Sequence, residues 1–440
     1  MNMIKYPDKT PAIQPKPFTF KRYVCNETGT WFTHDPAVYH DADSGNYYIY
    51  STGAFCQRSV DLIHWEPVGK IVDSPPEESV LWTGSSDIWA PDIVKSGEEY
   101  RLYCSNSSWG VRQSCIFLAV SDSPEGPFIP RGCVLKTTDN MPVNAIDANI
   151  IEDVETSDMY MLYGSFWGGC HMLLLDRETG LAAEAGIGTC VARRPDWTDC
   201  SIEGPYMIYH RESGYYFLFV SYGSLKSDYN IRVGRSRNIT GPFLDYHGKD
   251  LTDTRDYDCS TGLMISCGYR WRDGISYMAP GHNSVLQDSD GKMYLVSHIR
   301  QLNFYDTPEP SLLQIRRLYM TPDCWPVAAS QPYAGEQLQR ILEEDLIGFY
   351  ERISLTPSIP QGIQHAHPFR LMENNRMESC SVIGSWHING DYTLELNYGN
   401  ISEHIIASPG WDHELDRPTL LLSGLTNTGI CTWYKKRPQK

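Results

Sequence analysis

The sequence predicts an all-β protein whose main domain is a propeller of five blades. The first observation is a short pattern that occurs five times: an ionisable residue, an apolar strand, a turn and a second, aromatic strand. The pattern opens at Asp35, Asp92, Asp147, Glu203 and His282, and these openers lie 57, 55, 56 and 79 residues apart. A near-constant period of this size is typical of repeat folds, and four-stranded units at this spacing fit propeller blades.

The second observation is the composition, which favours many short strands. The 440 residues include 28 Tyr and 12 Trp, and 35 Gly and 28 Pro interrupt the apolar runs. Short aromatic strands bounded by Gly and Pro turns are characteristic of all-β domains. A chain of this length is also long enough for two or more domains.

The repeats divide the chain into three parts. Residues 1–21 are polar and rich in proline, and we expect them to form a surface arm. The propeller occupies 22–332, and within it an insertion over roughly 246–275 is predicted to be a loop over one face. After Pro332 the ionisable opener is lost, so 333–440 is predicted to be a small second β domain, a barrel or a sandwich.

The charge excludes two classes of partner. The formal net charge is −17, and the only basic cluster is Lys435-Lys436-Arg437 at the end of the chain. Such a surface repels nucleic acid and anionic membranes. No stretch of about 20 apolar residues is present, so we expect no membrane span. Separately, we expect the protein to be a monomer.

Cysteine usage and the first residues bear on the compartment. Thirteen cysteines without a Cys-x-x-Cys pair argue against a zinc site and against a complete disulfide framework. The first residues lack the apolar segment of a signal peptide. These features predict a cytoplasmic protein with free thiols, or an extracellular one if a leader has been removed.

The predicted fold brings the five openers together, because equivalent residues of propeller blades converge on one axis. No P-loop, dinucleotide fingerprint, Gly-x-Ser-x-Gly elbow or His-Glu-x-x-His motif is present, which leaves the carboxylates as the chemistry of the site. A pair of carboxylates suits glycoside hydrolysis, one as acid and the other as base or nucleophile. A third carboxylate would raise the pKa of the acid.

Six motifs, in order along the chain, resemble glycoside hydrolase family 43, and more narrowly its endo-α-1,5-L-arabinanases. They are His34-Asp35-Pro36, Trp89-Ala90-Pro91-Asp92, Asn144-Ala145-Ile146-Asp147, Gly164-Ser165-Phe166-Trp167-Gly168-Gly169, Glu203-Gly204-Pro205-Tyr206 and Gly281-His282-Asn283-Ser284-Val285. The end of the chain resembles, more loosely, the small β-barrel domain of two-domain arabinanases. One departure is Ala148, where the family usually has proline.

The resemblance implies an inverting hydrolase acting on arabinan or arabino-oligosaccharides. It makes Asp35 the general base, Glu203 the general acid and Asp147 the residue that orients Glu203 and tunes its pKa. His282 would lie near a calcium ion completed largely by water, and no organic cofactor is expected. The implied substrate-binding residues are His34, Trp89, Asp92, Asn144, Ala145, Ile146, Ser165, Phe166 and Trp167.

Two other functions remain open at this stage. An exo-acting arabinofuranosidase or β-xylosidase of the same family would differ mainly in loops that block one end of the cleft. A carbohydrate-binding propeller without activity would have lost one of the three carboxylates, and all three are present. Single residues also have structural readings: Asp92 as a hydrogen-bonding residue, Trp89 as packing and His282 as an interior histidine without metal.

Overall fold

The computed structural model describes residues 4–8, 33–302, 311–359, 362–380 and 382–438, and they form two β domains. Most of the arm predicted for 1–21 lies outside these ranges. Residues 4–8 lie against the second domain, where Ile4 and Tyr6 pack on its core. The Lys5 amide donates a hydrogen bond to Gln339 Oε1 at 2.8 Å.

The first four blades are antiparallel sheets of four strands, each built from one continuous part of the chain. Blades 1 and 2 consist of β1 (Ala37–Asp41), β2 (Asn46–Ser51), β3 (Phe55–Ser59), β4 (Trp65–Lys70), β5 (Trp89–Ser96), β6 (Glu99–Asn106), β7 (Cys115–Ser121) and β8 (Ile129–Lys136). Blades 3 and 4 consist of β9 (Asn149–Glu152), β10 (Met159–Tyr163), β11 (Cys170–Leu175), β12 (Thr189–Ala192), β13 (Ile202–His210), β14 (Tyr215–Tyr222), β15 (Asn230–Ser236) and β16 (Leu263–Ser266).

The fifth blade has two additional strands, so its sheet has six. It contains β17 (Tyr269–Arg270), β18 (Ser276–Gln287), β19 (Met293–Gln301), β20 (Leu312–Met320) and β21 (Pro326–Ala328). The sixth strand belongs to the second domain and pairs in parallel with β17. The prediction that 246–275 is only a loop was wrong, because β16 and β17 lie in it and Leu251 is fully buried.

The second domain is a closed barrel of eight strands, which decides between the predicted barrel and sandwich. In chain order the strands from here on are β22 (Gly348–Ser354), β23 (Gln364–His365), β24 (His367–Met372), β25 (Arg376–Ser379), β26 (Val382–Ile388), β27 (Thr393–Tyr398), β28 (Ile401–Asp412), β29 (Arg417–Thr426) and β30 (Cys431–Lys436). The short β23 is the strand that joins the fifth blade, and the other eight close the barrel.

Helices are few and short. Among the described residues they are α1 (Glu77–Thr83), α2 (Glu343–Leu346) and a 3₁₀ turn (Asp196–Thr198). Gly84 ends α1 with a φ of 72°, a left-handed conformation that costs glycine little. Within the described ranges no helix is long and apolar enough to span a membrane.

One hydrophobic cluster contains residues of both domains. Trp325 and Val327 of the fifth blade pack in one cluster with Ile353 and Trp433 of the barrel. The indole of Trp433 donates to the Ala328 carbonyl at 2.9 Å, so its only polar group is satisfied inside the interface. The boundary predicted between 332 and 333 falls in the segment that connects β21 and β22.

Candidate active site

The first strand of each repeat (β1, β5, β9, β13 and β18) is called the inner strand of its blade. Each inner strand has a residue with a left-handed backbone in it or just before it. Those residues are Asp35, Ala90, Asp147, Gly204 and His282, with φ of 52°, 42°, 64°, 57° and 46°. In every blade the residue before it pairs with the second strand: His34 with Thr52, Trp89 with Ser105, Ile146 with Gly164, Glu203 with Ser221 and Gly281 with His298. Left-handed non-glycine residues are uncommon and concentrate at functional sites.

This common position corrects the phase of two predicted openers. Asp35, Asp147 and His282 occupy equivalent places in their blades. Glu203 precedes the left-handed residue of its blade by one position, and Asp92 follows that of its own blade by two. The spacing of the repeat therefore located the site, but the five ionisable residues do not all enter it at the same strand position.

A ring of hydrogen bonds holds these left-handed residues around the axis. In four blades a side chain of the second strand accepts the backbone N–H of the left-handed residue of the next blade. The four bonds run to Thr52 from Ala90 (3.0 Å), to Ser105 from Asp147 (2.9 Å), to Ser221 from His282 (2.8 Å) and to His298 from Asp35 (3.3 Å). The third blade has Gly164 at this place, so Asp147 Oδ2 itself accepts the Gly204 N–H at 3.2 Å.

Asp35 is a buried carboxylate among three imidazoles. Its Oδ1 lies 3.2 Å from His282 Nδ1 and 3.5 Å from both His34 Nε2 and His298 Nδ1. Its Oδ2 accepts the Thr52 hydroxyl at 2.6 Å. Burial opposes ionisation, but His282 and His34 hold the pKa of Asp35 well below its ordinary value. Asp35 is therefore ionised, as a general base must be.

Asp147 and Glu203 have the opposite electrostatic setting. Burial, together with the charges of Glu203 and Asp35, raises the pKa of Asp147 to about 7. Burial raises the pKa of Glu203 too, and Asp35 adds to this, while Ser165, His282 and Tyr229 oppose it. Two carboxyl groups that repel each other in a buried site favour a proton on one of them. Glu203 is therefore suited to donate a proton.

His282 supplies the positive charge of this centre. Its Nδ1 lies 3.2 Å from Asp35 Oδ1 and 4.0 Å from Asp147 Oδ2. Burial lowers its pKa, but the four surrounding carboxylates outweigh that effect, and the pKa of His282 is raised above its ordinary value. One imidazolium faces several carboxylates, so the axis is acidic overall.

Asp92 joins two blades. It is buried, and its Oδ2 accepts the Ile150 N–H at 2.8 Å and the Asn149 amide at 3.2 Å. Asn149 Oδ1 continues the chain of contacts by accepting the Met207 N–H at 2.9 Å. The structural reading of Asp92 thus has direct support, while its contact with substrate stays a prediction.

The predicted segment from Asn144 to Ile146 is buried at the entry to the third blade. Asn144 Oδ1 accepts the Ser114 hydroxyl at 2.7 Å, and the Ala145 N–H donates to Thr137 Oγ1 at 3.0 Å. The Ile146 N–H bonds back to the Asn144 carbonyl at 3.0 Å. These bonds fix the turn that orients Asp147.

The predicted aromatic segment lies beside the acid. Ser165 Oγ donates to Glu203 Oε2 at 2.7 Å, and the Phe166 N–H donates to the Ile202 carbonyl at 2.7 Å. Trp167 is 38% exposed and stacks under the guanidinium of Arg112 at 5.1 Å. Trp89, at the start of β5, is half-buried. Trp167 thus offers an open aromatic face to a sugar.

His282, the predicted metal ligand, is not part of the cluster of side chains whose geometry could hold a metal ion. Among the described residues, that cluster is His34, Asp35 and His298, whose ligand atoms lie within 4.8 Å of one another. Its His298 Nδ1 already accepts the Asp35 N–H. Two imidazoles and one carboxylate differ from the oxygen-rich ligand set that calcium prefers.

Comparison with known proteins identifies the family. A family model described as "Glycosyl hydrolases family 43" matches residues 26–326, and one described as "C-terminal lipocalin-like domain" matches 330–434. The chain belongs to glycosyl hydrolase family 43. The family 43 resemblance, the all-β fold with a five-bladed propeller and the assignment as a glycosidase are confirmed.

Three similar proteins bear on the substrate. An "Extracellular endo-alpha-(1->5)-L-arabinanase" of Thermotoga petrophila is 30% identical, over 91% of this chain and 92% of its own. A solved endo-1,5-α-L-arabinanase from the RKU-1 strain of that organism superposes with a TM-score of 0.84 at 26% identity, covering 93% of this chain and 99% of that one. An "Extracellular exo-alpha-(1->5)-L-arabinofuranosidase ArbA" of Cellvibrio japonicus is 31% identical, over 67% of this chain and 85% of its own.

Sequence reasoning missed the side chains that hold the left-handed residues around the axis. Thr52, Ser105, Ser221 and His298 lie in, or directly after, second strands, which carry no ionisable opener. Their signal was present, because each comes a few residues after the aromatic residues of the second strand of its repeat. It could be recognised only once the bulges in the inner strands had set the register.

Proposed function

We propose that this glycosidase cleaves internal α-1,5-L-arabinofuranosidic bonds of arabinan. The observation that carries the proposal is the opposite electrostatic setting of two buried carboxyl groups at the axis, those of Asp35 and Glu203. Histidines lower the pKa of Asp35, whereas burial beside other carboxylates raises the pKa of Glu203. Titratable groups whose surroundings push their pKa values apart are the usual acid and base of a hydrolase.

In this proposal the reaction is a single displacement with inversion. Asp35 takes a proton from water, which attacks the anomeric carbon, while Glu203 donates its proton to the leaving oxygen. Asp147, whose Oδ2 accepts the Gly204 N–H beside Glu203, would raise the pKa of the acid through its negative charge. Inversion predicts a separation of about 6.5–9.5 Å between the carboxyl groups of Asp35 and Glu203, which leaves room for the water.

The substrate assignment follows the relatives of similar architecture. The Thermotoga petrophila proteins named as endo-arabinanases cover both domains of this chain. The sugar would stack on Trp167 and Trp89 and contact His34, Asp92, Ser165, Phe166 and the turn Asn144-Ala145-Ile146. The enzyme would act as a monomer.

Release of products over time from linear, debranched arabinan tests the proposal. We expect a spread of arabino-oligosaccharides at early times. By NMR, hydrolysis of the α linkages should first release reducing ends with the β configuration, which is the inverted one. Arabinose alone would replace the proposal by exo action, for which the Cellvibrio japonicus relative is a precedent. No product from arabinan, with activity on xylo-oligosaccharides, would favour the β-xylosidase alternative.

We also propose that the acidic axis takes up a cation, with calcium as the expected ion. The charge fits, because one imidazolium faces several carboxylates. A second observation concerns unsatisfied groups: both amide atoms of Asn283 and the Nε2 of His298 are buried without a partner in the described part of the chain. The protein atoms do not form an oxygen cage, so water and His282 would be the main ligands, and His282 would have to lose its proton when the ion binds.

Removal of metal tests this second proposal. Treatment with EDTA, followed by elemental analysis, is expected to lower the melting temperature and the activity, and added calcium should restore both. A His282→Ala variant provides the matched control, because its melting temperature should no longer respond to EDTA. An enzyme without bound metal whose stability and activity ignore EDTA would contradict the proposal.

The relatives do not support the cytoplasmic location predicted from the first residues. The Thermotoga petrophila enzyme is named as extracellular. The twelve described cysteines are all free, as predicted for thiols without a disulfide framework. Export of the protein by its native host, measured in culture supernatant against cell lysate, decides between the two compartments.

A further inference from the structure

Thr52 links the general base of the proposed mechanism to the neighbouring blade. It directly follows the second strand of blade 1, and its N–H donates to the His34 carbonyl at 2.9 Å. Its hydroxyl oxygen accepts the Ala90 N–H from blade 2 at 3.0 Å. The same hydroxyl lies 2.6 Å from Asp35 Oδ2.

The direction of these hydrogen bonds is determined by chemistry. A backbone N–H can only donate, so the Thr52 oxygen is the acceptor toward Ala90. An ionised carboxylate can only accept, so the single hydroxyl hydrogen of Thr52 must point to Asp35 Oδ2. The chain Ala90 N–H, Thr52 O–H, Asp35 Oδ2 therefore has one polarity, and a hydrogen bond to a charged acceptor is stronger than one between neutral groups.

The other members of the ring do not do this. Ser105 and Ser221 accept backbone N–H groups of Asp147 and His282 at equivalent places. His298 accepts the N–H of Asp35 through Nδ1, so that nitrogen has no hydrogen to give to the Asp35 carboxylate. Of the four ring side chains, Thr52 is the one whose hydrogen bond reaches the side chain of Asp35.

The two oxygens of Asp35 thereby become different. Oδ2 is held by a hydroxyl whose own orientation is fixed by blade 2. Oδ1 faces the imidazoles of His282 and His34 at 3.2 and 3.5 Å. A carboxylate held at one oxygen cannot rotate away from the water that it must deprotonate, and positioning of this kind is a large part of catalysis.

We propose that Thr52 is a positioning residue for the general base: its hydroxyl, oriented by the Ala90 N–H, holds Asp35 Oδ2 and leaves Oδ1 to receive the proton of the attacking water. This inference rests on the proposed function of Asp35. It adds a residue from a second strand, outside all of the motifs that carry the family resemblance.

The test compares two replacements of nearly equal size. Thr52→Val keeps the shape but loses the hydroxyl, whereas Thr52→Ser keeps the hydroxyl and loses a methyl group. For Thr52→Val we expect kcat on linear arabinan to fall about tenfold, the worth of one hydrogen bond to a charged group, with KM nearly unchanged. The acidic limb of the kcat/KM profile should move up by about one pH unit, because the ionised form of Asp35 loses a donor.

The serine variant gives the control for a purely structural role. Thr52→Ser should keep the acidic limb of the wild type and most of its kcat. A Thr52→Val enzyme with a wild-type acidic limb would overturn the inference, and so would a Thr52→Ser enzyme that loses as much as Thr52→Val. If Thr52→Val does not fold, Thr52→Cys is measured in its place: its weak thiol donor should move the limb in the same direction, and an unmoved limb overturns the inference.

Failure of this inference can be distinguished from failure of the proposed function. If the wild-type enzyme releases no product from arabinan, the proposed function fails. If Asp35→Asn retains activity on arabinan, Asp35 is not the base, and the role of Thr52 fails with it. If Asp35→Asn is inactive but Thr52→Val keeps the wild-type profile, the base is correct and only the role of Thr52 is wrong.

Discussion

The propeller and the barrel each bury carboxylates, but they neutralise them in opposite ways. In the barrel, Glu403 is fully buried and accepts hydroxyl hydrogen bonds from Tyr434 at 2.8 Å, Tyr398 at 2.9 Å and Thr432. Arg352 completes the group with a 3.2 Å ion pair. Every oxygen of Glu403 has a partner, and its charge has a counterion.

At the propeller axis the carboxylates outnumber their partners. Asp35, Asp147 and Glu203 share His282 as the nearest imidazolium, and Glu203 has hydroxyl donors in place of a counterion. The comparison separates a structural carboxylate from a reactive one. Glu403 has a partner for each oxygen and a counterion, whereas Asp147 and Glu203 keep raised pKa values, as groups that transfer protons often do.

The largest effect expected from this comparison is on activity. Glu203→Gln should lower kcat on arabinan by about 10²–10⁴-fold, the usual contribution of a general acid, and should leave the melting temperature close to that of the wild type. Steady-state kinetics together with thermal unfolding measures both.

The barrel supplies the matched control for that variant. Glu403→Gln changes a buried glutamate in the same way but should leave kcat per folded molecule unchanged. A Glu203→Gln enzyme within tenfold of wild-type activity would show that the distinction between the two carboxylates is wrong.

The next effect concerns stability and belongs to the barrel. Arg352→Met should lower the free energy of unfolding by about 3–5 kcal/mol, because it leaves the Glu403 charge buried without a counterion. Urea unfolding measures the loss. The double variant Arg352→Met with Glu403→Gln should recover a large part of it, since no charge then remains; a double variant less stable than the single one would contradict this account.

The smallest effect is a shift in pH dependence. Glu203 raises the pKa of Asp147, and by the same repulsion a charge on Asp147 favours the protonated form of Glu203. Asp147→Asn removes that charge. Glu203 should then lose its proton at a lower pH, and the alkaline limb of kcat/KM should move down by about one unit. Glu403→Gln should leave this limb in place, and an unmoved limb in Asp147→Asn would exclude Asp147 as the tuning residue.

The repeat pattern predicted the fold correctly because it is a local property. A titratable residue followed by a short strand, a turn and an aromatic strand recurs in each blade, and continuous short apolar runs of this kind reflect burial on both faces of a packed sheet. The openers Asp35 and Asp147 were therefore found from spacing, and so was His282. The same signal failed for residues 246–275, where β16 and β17 lack an opener and their buried side chains are too few to form a pattern.

Register was the information that spacing could not supply. Bulges in β5, β13 and β18 shift the ladder by a residue or more, so Asp92 and Glu203 lie at different heights although both open a repeat. A shift of one residue turns a side chain to the other face of a strand. Hence Asp92 binds its neighbouring blade, while Glu203 stands beside Ser165 at the axis.

The amino-acid sequence alone determined that this protein is a β-propeller with a second β domain, and that three carboxylates and a histidine meet where its blades begin. Those properties follow from local patterning and from repeat symmetry. Only the tertiary structure decided what holds each carboxyl group and in which direction its surroundings shift its pKa. The partners of Asp35 and Glu203 come from other strands and other blades, and their pKa values depend on burial and on distances of a few ångströms, which no pattern along the chain records.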